Sequence, residues 1–348
     1  MNNPFRIDLP FYHPSSILML DDDKEFLLSM RAALGDTHAI CLYSDVSAAL
    51  ERLKQVERDN AEYFQIAGSY YEPLPEGTNV PSSDFSDAPL TVPVVQNINY
   101  DLVSVVIVDE VMPTMRGLDF CNKIKNSGTK IILLTGQADN PEKTIEAFNN
   151  GIIHKFISKG DPQALEKIKR AISELNGIFF ETQCNKFNLR PHLNNESEVE
   201  PSQIAQVMDN VFSIFPFTEY FHNQTTGGYL LRDAKGESKL AFFTSQKSSN
   251  DVALFIDELA CAKSQAVALR EGTHILPWVF LDDKPNISIS DVEKRMLPAN
   301  RTKNTLWSLI NYKDVPSCIE KTNQSHTIGW NNYIGQVQFR PVNMHDDN

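Results

Sequence analysis

Three aspartates stand in a row at Asp21, Asp22 and Asp23, and a fourth, Asp109, ends a run of β-branched residues. A hydroxyl, Thr135, and an ammonium, Lys159, close two later apolar runs. Phosphoryl transfer onto a carboxylate needs these kinds of group: a fixed acceptor, donors for the transferring oxygens, and a divalent cation to offset the charge. Magnesium prefers carboxylates and other hard oxygen ligands. Alone, each feature has a plainer reading. A triple Asp is often a loop or helix cap, a Thr at a strand end is usually structural, and a single Lys is usually surface. Only their arrangement on the elements that carry them makes a site.

Those elements are legible from periodicity. Ser16–Leu20 reads as a strand, Lys24–Leu34 as a helix, His38–Tyr43 as a strand and Val46–Lys54 as a helix. Val103–Val108 has the pattern of a strand buried on both faces. Then follow a helix over Leu118–Lys125, a strand over Lys130–Leu134, a helix over Pro141–Asn149 and a short strand over Lys155–Ile157. A last helix, with Pro162 in its first turn, carries Leu165, Ile168, Ile172 and Leu175 on one face. Five strands each followed by a helix predict an α/β fold, a doubly wound five-stranded parallel sheet of flavodoxin-like order. Functional groups of such sheets gather outside the carboxyl ends of the strands, where Asp21, Asp22, Asp109, Thr135 and Lys159 all fall.

The motifs resemble the receiver domains of two-component response regulators. ILMLDDD (17–23), VIVDEVMPTMRG (106–117), IILLTGQAD (131–139) and KFISK (155–159) occur in the family's order, with Met112, Pro113 and Gly117 at its spacing. The resemblance covers Ile17 to about Gly177. It implies that Asp109 accepts phosphate from a histidine kinase or phosphotransfer protein. It further implies Mg2+ held by Asp22, Asp109 and the Val111 carbonyl, with Asp21 acting through water. Thr135 and Lys159 would hold phosphoryl oxygens, and Phe156 takes the aromatic switch position. Two departures stand out: Gly160 follows Lys159 where the family usually has proline, and Asp22 and Asp109 are about twice as far apart as usual.

That distance reflects residues 59–100, which interrupt the pattern after the second helix. The stretch holds prolines 73, 75, 81, 89 and 93, and no Lys or Arg occurs between Arg58 and Arg116. Its ordinary reading is a solvated acidic insertion. The sharper one is a docking surface built on Tyr63, Phe64, Tyr70, Tyr71 and Phe85. The expected division is therefore an extension over 1–15, a receiver over 16–177, a polar linker over 178–200 and an α+β output domain over 201–348.

In the C-terminal part, Ile204–Phe215 reads as a helix, Tyr229–Arg232 and Leu240–Thr244 as a hairpin, and Asp251–Leu269 as one long helix. His274–Leu281 and Gly335–Arg340 read as strands, and Asp291–Met296 and Thr305–Leu309 as helices. No known output family matches there, and no catalytic or metal motif is visible, so a catalytic output is not expected. The whole-chain layout resembles quorum-sensing response regulators of the Legionella type. All three tryptophans, at 278, 307 and 330, lie beyond residue 201. Intrinsic fluorescence is therefore expected to report on the output part alone.

Charge narrows the partners. The formal net charge is −13. Residues 1–199 carry 18 basic against 28 acidic residues, and residues 200–348 carry 14 against 17, so neither part has the basic footprint of a nucleic-acid binder. A local cluster of Lys294, Arg295, Arg301 and Lys303, with Trp307 close behind, is the one candidate for phosphate pairing and base stacking. Two outputs stay open: nucleic-acid binding through that cluster, with a homodimer formed on phosphorylation, or a protein-interaction module with no nucleic-acid role. The five scattered cysteines have no paired spacing. The start of the chain has no signal-peptide pattern and no stretch is long and apolar enough to span a bilayer, so no membrane partner and a cytoplasmic location are expected.

Overall fold

Alternation of side chains along β-branched strands sets the architecture of the N-terminal part. A computed structural model describes residues 3–35, 37–71, 100–136, 141–191, 199–223, 227–258, 263–277, 281, 289–314 and 330–337. Its contacts divide the chain into two units, and neither is a continuous segment. One takes residues 13–66, 99–188 and 330–348; the other takes 1–12, 67–98 and 189–329. This differs from the linear division expected from sequence, because each unit recruits residues from beyond the other in the chain.

The chain opens with a two-residue strand, β1 (Phe11–Tyr12), that belongs to the second unit. The first unit then holds β2 (Ser16–Leu20), β3 (Ile40–Tyr43), β4 (Val103–Asp109), β5 (Lys130–Thr135) and β6 (Lys155–Ser158). They form one parallel sheet in the order β3-β2-β4-β5-β6. The helices are α1 (Lys24–Leu34), α2 (Val46–Tyr71, grouped with this unit up to Ile66), α3 (Gly117–Ile124), α4 (Pro141–Asn149) and α5 (Ala164–Lys186). Successive strand residues point to opposite faces. Accordingly Leu18, Leu20, Val106, Val108, Ile131 and Leu133 meet Phe120, Ile124 and Ala147 on one side. Ile17, Met19, Val105, Ile107, Ile132 and Leu134 meet Leu27, Met30, Ile168 and Ile172 on the other. The doubly wound, flavodoxin-like sheet is thus present as expected.

Two helices run further than the sequence suggested. α2 continues through Tyr71 because Ala49, Leu53, Val56, Asn60, Tyr63, Phe64, Ala67 and Tyr71 recur at helical spacing and are all buried. Tyr63, Phe64 and Tyr71 therefore do not form an exposed docking surface. Phe64, for example, lies edge-on to Phe179 and Phe180. Residues 72–99, including Phe85, lie outside the described residues, as does the side chain of Tyr70. α5 likewise runs into the expected linker, burying Phe179, Phe180, Gln183 and Cys184. The first unit also includes α10 (Trp330–Val337), where a strand was expected over 335–340; residues 338–340 lie outside the described ones. Trp330 donates to the Thr37 carbonyl at 3.3 Å, and Tyr333 hydrogen-bonds Asp101 at 2.5 Å. Trp330 fluorescence therefore reports on the sheet that carries Asp109, not on the output part.

The second unit is built on an antiparallel sheet in the order β1-β7-β8-β9-β13-β12. Its strands are β7 (Glu219–His222), β8 (Tyr229–Arg232), β9 (Ser238–Ser245), β12 (Asn300–Thr302) and β13 (Thr305–Asn311). A separate pair joins β10 (His274–Ile275) to β11 (Leu297–Pro298). Around them lie α6 (Pro201–Ile214), α7 (Gln246–Glu258), α8 (Lys263–Glu271) and α9 (Ile289–Arg295). The helix expected over 251–269 is present as α7 up to Glu258 and as α8 from Lys263, with residues 259–262 outside the described ones. The helix expected over 305–309 is a strand, because β13 pairs with β9 along seven residues and tertiary pairing outweighs local propensity. Among the described residues, no helix is long and apolar enough to cross a membrane.

Candidate functional site

The three consecutive aspartates have different jobs. Asp23 is the cap of α1, its carboxylate accepting the Phe26 N–H at 3.0 Å. Asp21, just past the end of β2, is almost wholly buried, and Asp22 is exposed. β4 lies beside β2 in the sheet, so Asp109 at its carboxyl end meets them. Carboxylate oxygens of Asp21, Asp22 and Asp109 all lie within 4.8 Å of one another.

Lys159 joins this cluster from the loop after β6. Its Nζ is 2.7 Å from Asp21 Oδ2 and 2.6 Å from Asp109 Oδ1. Its backbone N–H donates to the Thr135 carbonyl at 2.7 Å, tying the end of β6 to the end of β5. Thr135 is buried one residue beyond the Asp109–Leu134 register pair. Val111 donates its backbone N–H to Asp109 Oδ2 at 3.0 Å, which aims the carboxylate. Gly117 is required by close approach: a Cβ there would stand 2.3 Å from the Asp109 carbonyl oxygen.

Burial pushes the Asp21 carboxyl up, against the opposing hydrogen bonds from Lys159 and the Asp23 N–H. Burial pulls the Lys159 ammonium down, but its bonds to Asp109 and Asp21 outweigh that and leave it raised. Three carboxylates against one ammonium leave a formal charge of −2 in a space a few ångströms wide. A divalent cation with a preference for hard oxygen fits that charge and that donor set. Among the described residues, this is the one His/Cys/Asp/Glu group able to hold a metal.

Phe156 is half exposed on β6, 6.1 Å from Phe148 in an edge-on arrangement. A cavity of about 580 Å3 lined by Thr135, Thr144, Ile145 and Phe156 links the end of β5 to that ring.

The basic cluster looks different. Lys294 and Arg295 end α9, Arg301 is on β12, and Lys303 sits in the tight β12–β13 turn with φ of 53°. Arg301 donates to Gln246 Oε1 at 2.6 Å. Trp307 is buried, its indole N–H donating to Thr302 Oγ1 at 2.9 Å. Its ring is therefore not available to stack on a base, which corrects the expected role. Two other groupings were not anticipated from the sequence. The ring of Phe26 lies 4.5 Å from Lys159 Nζ, and Glu219 with Arg232 forms a fully buried ion pair across β7 and β8. Alternation along β7 and β8 could have pointed to the latter.

Residues 84–172 match the response regulator receiver domain family. The matched stretch contains Asp109, Thr135, Phe156 and Lys159, and the tertiary structure adds Asp21 and Asp22 from just after β2. Over nearly its whole length the chain is similar to the response regulator LqsR of Legionella pneumophila. The identity is 21%, covering 94% of this chain and 95% of that one, with a TM-score of 0.66, a likeness of fold. It is also similar to an adenylate cyclase from Rhodopirellula baltica (19% identity, 50% and 96% covered, TM-score 0.33). A third similarity is to a CheY-like receiver domain protein from Methanospirillum hungatei JF-1 (18% identity, 47% and 96% covered, TM-score 0.28). No curated protein sequence matches the chain.

Proposed function

We propose that this chain, a response regulator with a receiver domain, takes a phosphoryl group from a histidine kinase or phosphotransfer protein onto Asp109 and thereby switches its output part. The observation that carries the reading is the Lys159 ammonium shared between Asp21 and Asp109, with Asp22 completing the acidic cluster. The Asp109 carboxylate oxygen forms the new O–P bond as the donor's N–P bond breaks. Lys159 pairs with one phosphoryl oxygen and Thr135 donates its hydroxyl to another. Asp22, Asp109 and the Val111 carbonyl would hold Mg2+, with Asp21 acting through water, and the ion would supply positive charge to offset the negative charge that accumulates there. Movement of Thr135 into the cavity it lines would repack Phe156 and alter the face of α4 and β6. The output then acts in the cytoplasm to regulate gene expression, without catalysis of its own, and a homodimer forms on phosphorylation.

A test exposes the full chain to acetyl phosphate with Mg2+ and follows phosphate incorporation by intact mass. Wild type should gain one phosphoryl group and Asp109→Asn none. Equal incorporation in both overturns the assignment. Light scattering with beryllofluoride reads the assembly step.

The buried Trp307 favours a second output, a protein-interaction module with no nucleic-acid binding. Charge reversal at Lys294, Arg295, Arg301 and Lys303 separates the two. Loss of a gel shift supports the nucleic-acid reading, and a gel shift that survives the reversal excludes this cluster as the contact.

A further inference from the structure

Phe26 is the third residue of α1, and the Asp23 cap that starts the helix holds its backbone N–H. The ring is partly buried and packs against the core shared by α1 and α5, so its place is fixed by the fold. Lys159 Nζ lies 4.5 Å from the ring centroid, within the range in which a ring face attracts a cation. The same ammonium is hydrogen-bonded to Asp21 and Asp109. We propose that Phe26 is a positioning residue for Lys159, its ring holding the ammonium at the acidic cluster while leaving its N–H donors free to change partner. The inference rests on the reading of Asp109 as phosphoacceptor.

Two features support a need for such a restraint. Gly160 follows Lys159, and an added Cβ there would meet only Ser158 Oγ at 3.7 Å, so no close approach demands glycine. The loop is therefore not stiffened by a ring at that position as proline would stiffen it. Second, phosphorylation obliges Lys159 to turn from a carboxylate oxygen of Asp109 to a phosphoryl oxygen. A further hydrogen bond donated by Lys159 to another side chain would occupy a donor and compete with that exchange. A ring face uses no donor, so it can hold the charge in place through the change of partner.

The experiment compares full-length wild type with Phe26→Leu and Phe26→Trp. Phe26→Leu keeps apolar bulk on α1 but removes the ring; Phe26→Trp keeps an aromatic face. Phosphate uptake from acetyl phosphate should slow by about two- to fivefold in the Leu variant, the size of a partly exposed cation–π contact, and recover in the Trp variant. The Lys159 Hε protons, assigned by comparison with Lys159→Arg, should show an upfield ring-current shift in wild type that the Leu variant loses. Equal rates in wild type and Phe26→Leu, or equal slowing in Leu and Trp, overturn the proposal. So do wild-type Hε protons without an upfield shift, a measurement that needs no variant at position 26. A wild type that takes up no phosphate on Asp109 defeats the phosphoacceptor reading instead, while the Hε shift still decides the contact.

Discussion

Replacing Asp22 by Asn should stabilise the metal-free protein and remove most of its stabilisation by magnesium. One carboxylate oxygen from each of Asp21, Asp22 and Asp109 lies within 4.8 Å of the other two. At that separation a pair of like charges repels by about 0.9 kcal/mol in water and about 3.5 kcal/mol at an effective dielectric of 20. Asp22 is exposed, so the water value is the better guide. Two such repulsions, less the attraction of the neighbouring Lys159 ammonium and reduced by salt over a Debye length of about 10 Å, amount to about 0.5 kcal/mol. Asp22 accepts no hydrogen bond from Lys159, whose ammonium goes to Asp21 and Asp109, so its neutralisation sacrifices little in return. Wild type at a Mg2+ concentration about 100 times the dissociation constant should gain about 2.7 kcal/mol, and the Asn variant much less. Urea unfolding followed by Trp330 fluorescence, with Trp278 and Trp307 replaced by Phe, reads the relevant unit. An Asn variant no more stable than wild type in EDTA, or one that gains as much from Mg2+, refutes the reasoning.

Three further outcomes follow from other parts of the molecule. Burial, with Lys130 adding to it, holds the His154 imidazole down at about 4 while its Nδ1 accepts the Ile131 N–H. Because the unfolded chain takes up the proton first, stability should fall as pH drops from 6.5 toward 4, by at most about 3 kcal/mol; His154→Gln should flatten that part of a melting-midpoint profile. Glu219→Gln removes the carboxylate facing the buried Arg232 and should cost about 3–5 kcal/mol in urea unfolding, much of it recovered when both are replaced by apolar residues. Gly117→Ala forces a Cβ toward the Asp109 carbonyl, so phosphate incorporation should fall clearly more than thermal stability; an unchanged rate would show that the turn gives way without moving Asp109.

The site was legible in sequence because it is made of strand ends. Once β2, β4, β5 and β6 could be read from short apolar runs, the parallel sheet itself required Asp21, Asp109, Thr135 and Lys159 to share one edge, whatever lay between Arg58 and Tyr100. Local periodicity served less well where a residue's fate depended on a distant partner. Thr305–Asn311 became a strand because β9 lies beside it. Phe64 became core because α5 runs on to cover it, and Tyr63 because His13 packs against its ring and hydrogen-bonds its hydroxyl. What the sequence alone determined was the chemistry of the acidic cluster and the α/β order of the elements around it. Only the tertiary structure decided which Asp of the three caps a helix, that a phenylalanine flanks the lysine, and that residues 330–337 belong with the parallel sheet. The physical reason is the same in each case: strand and helix periods are written in neighbouring residues, whereas contacts across long separations depend on how buried faces find one another in space.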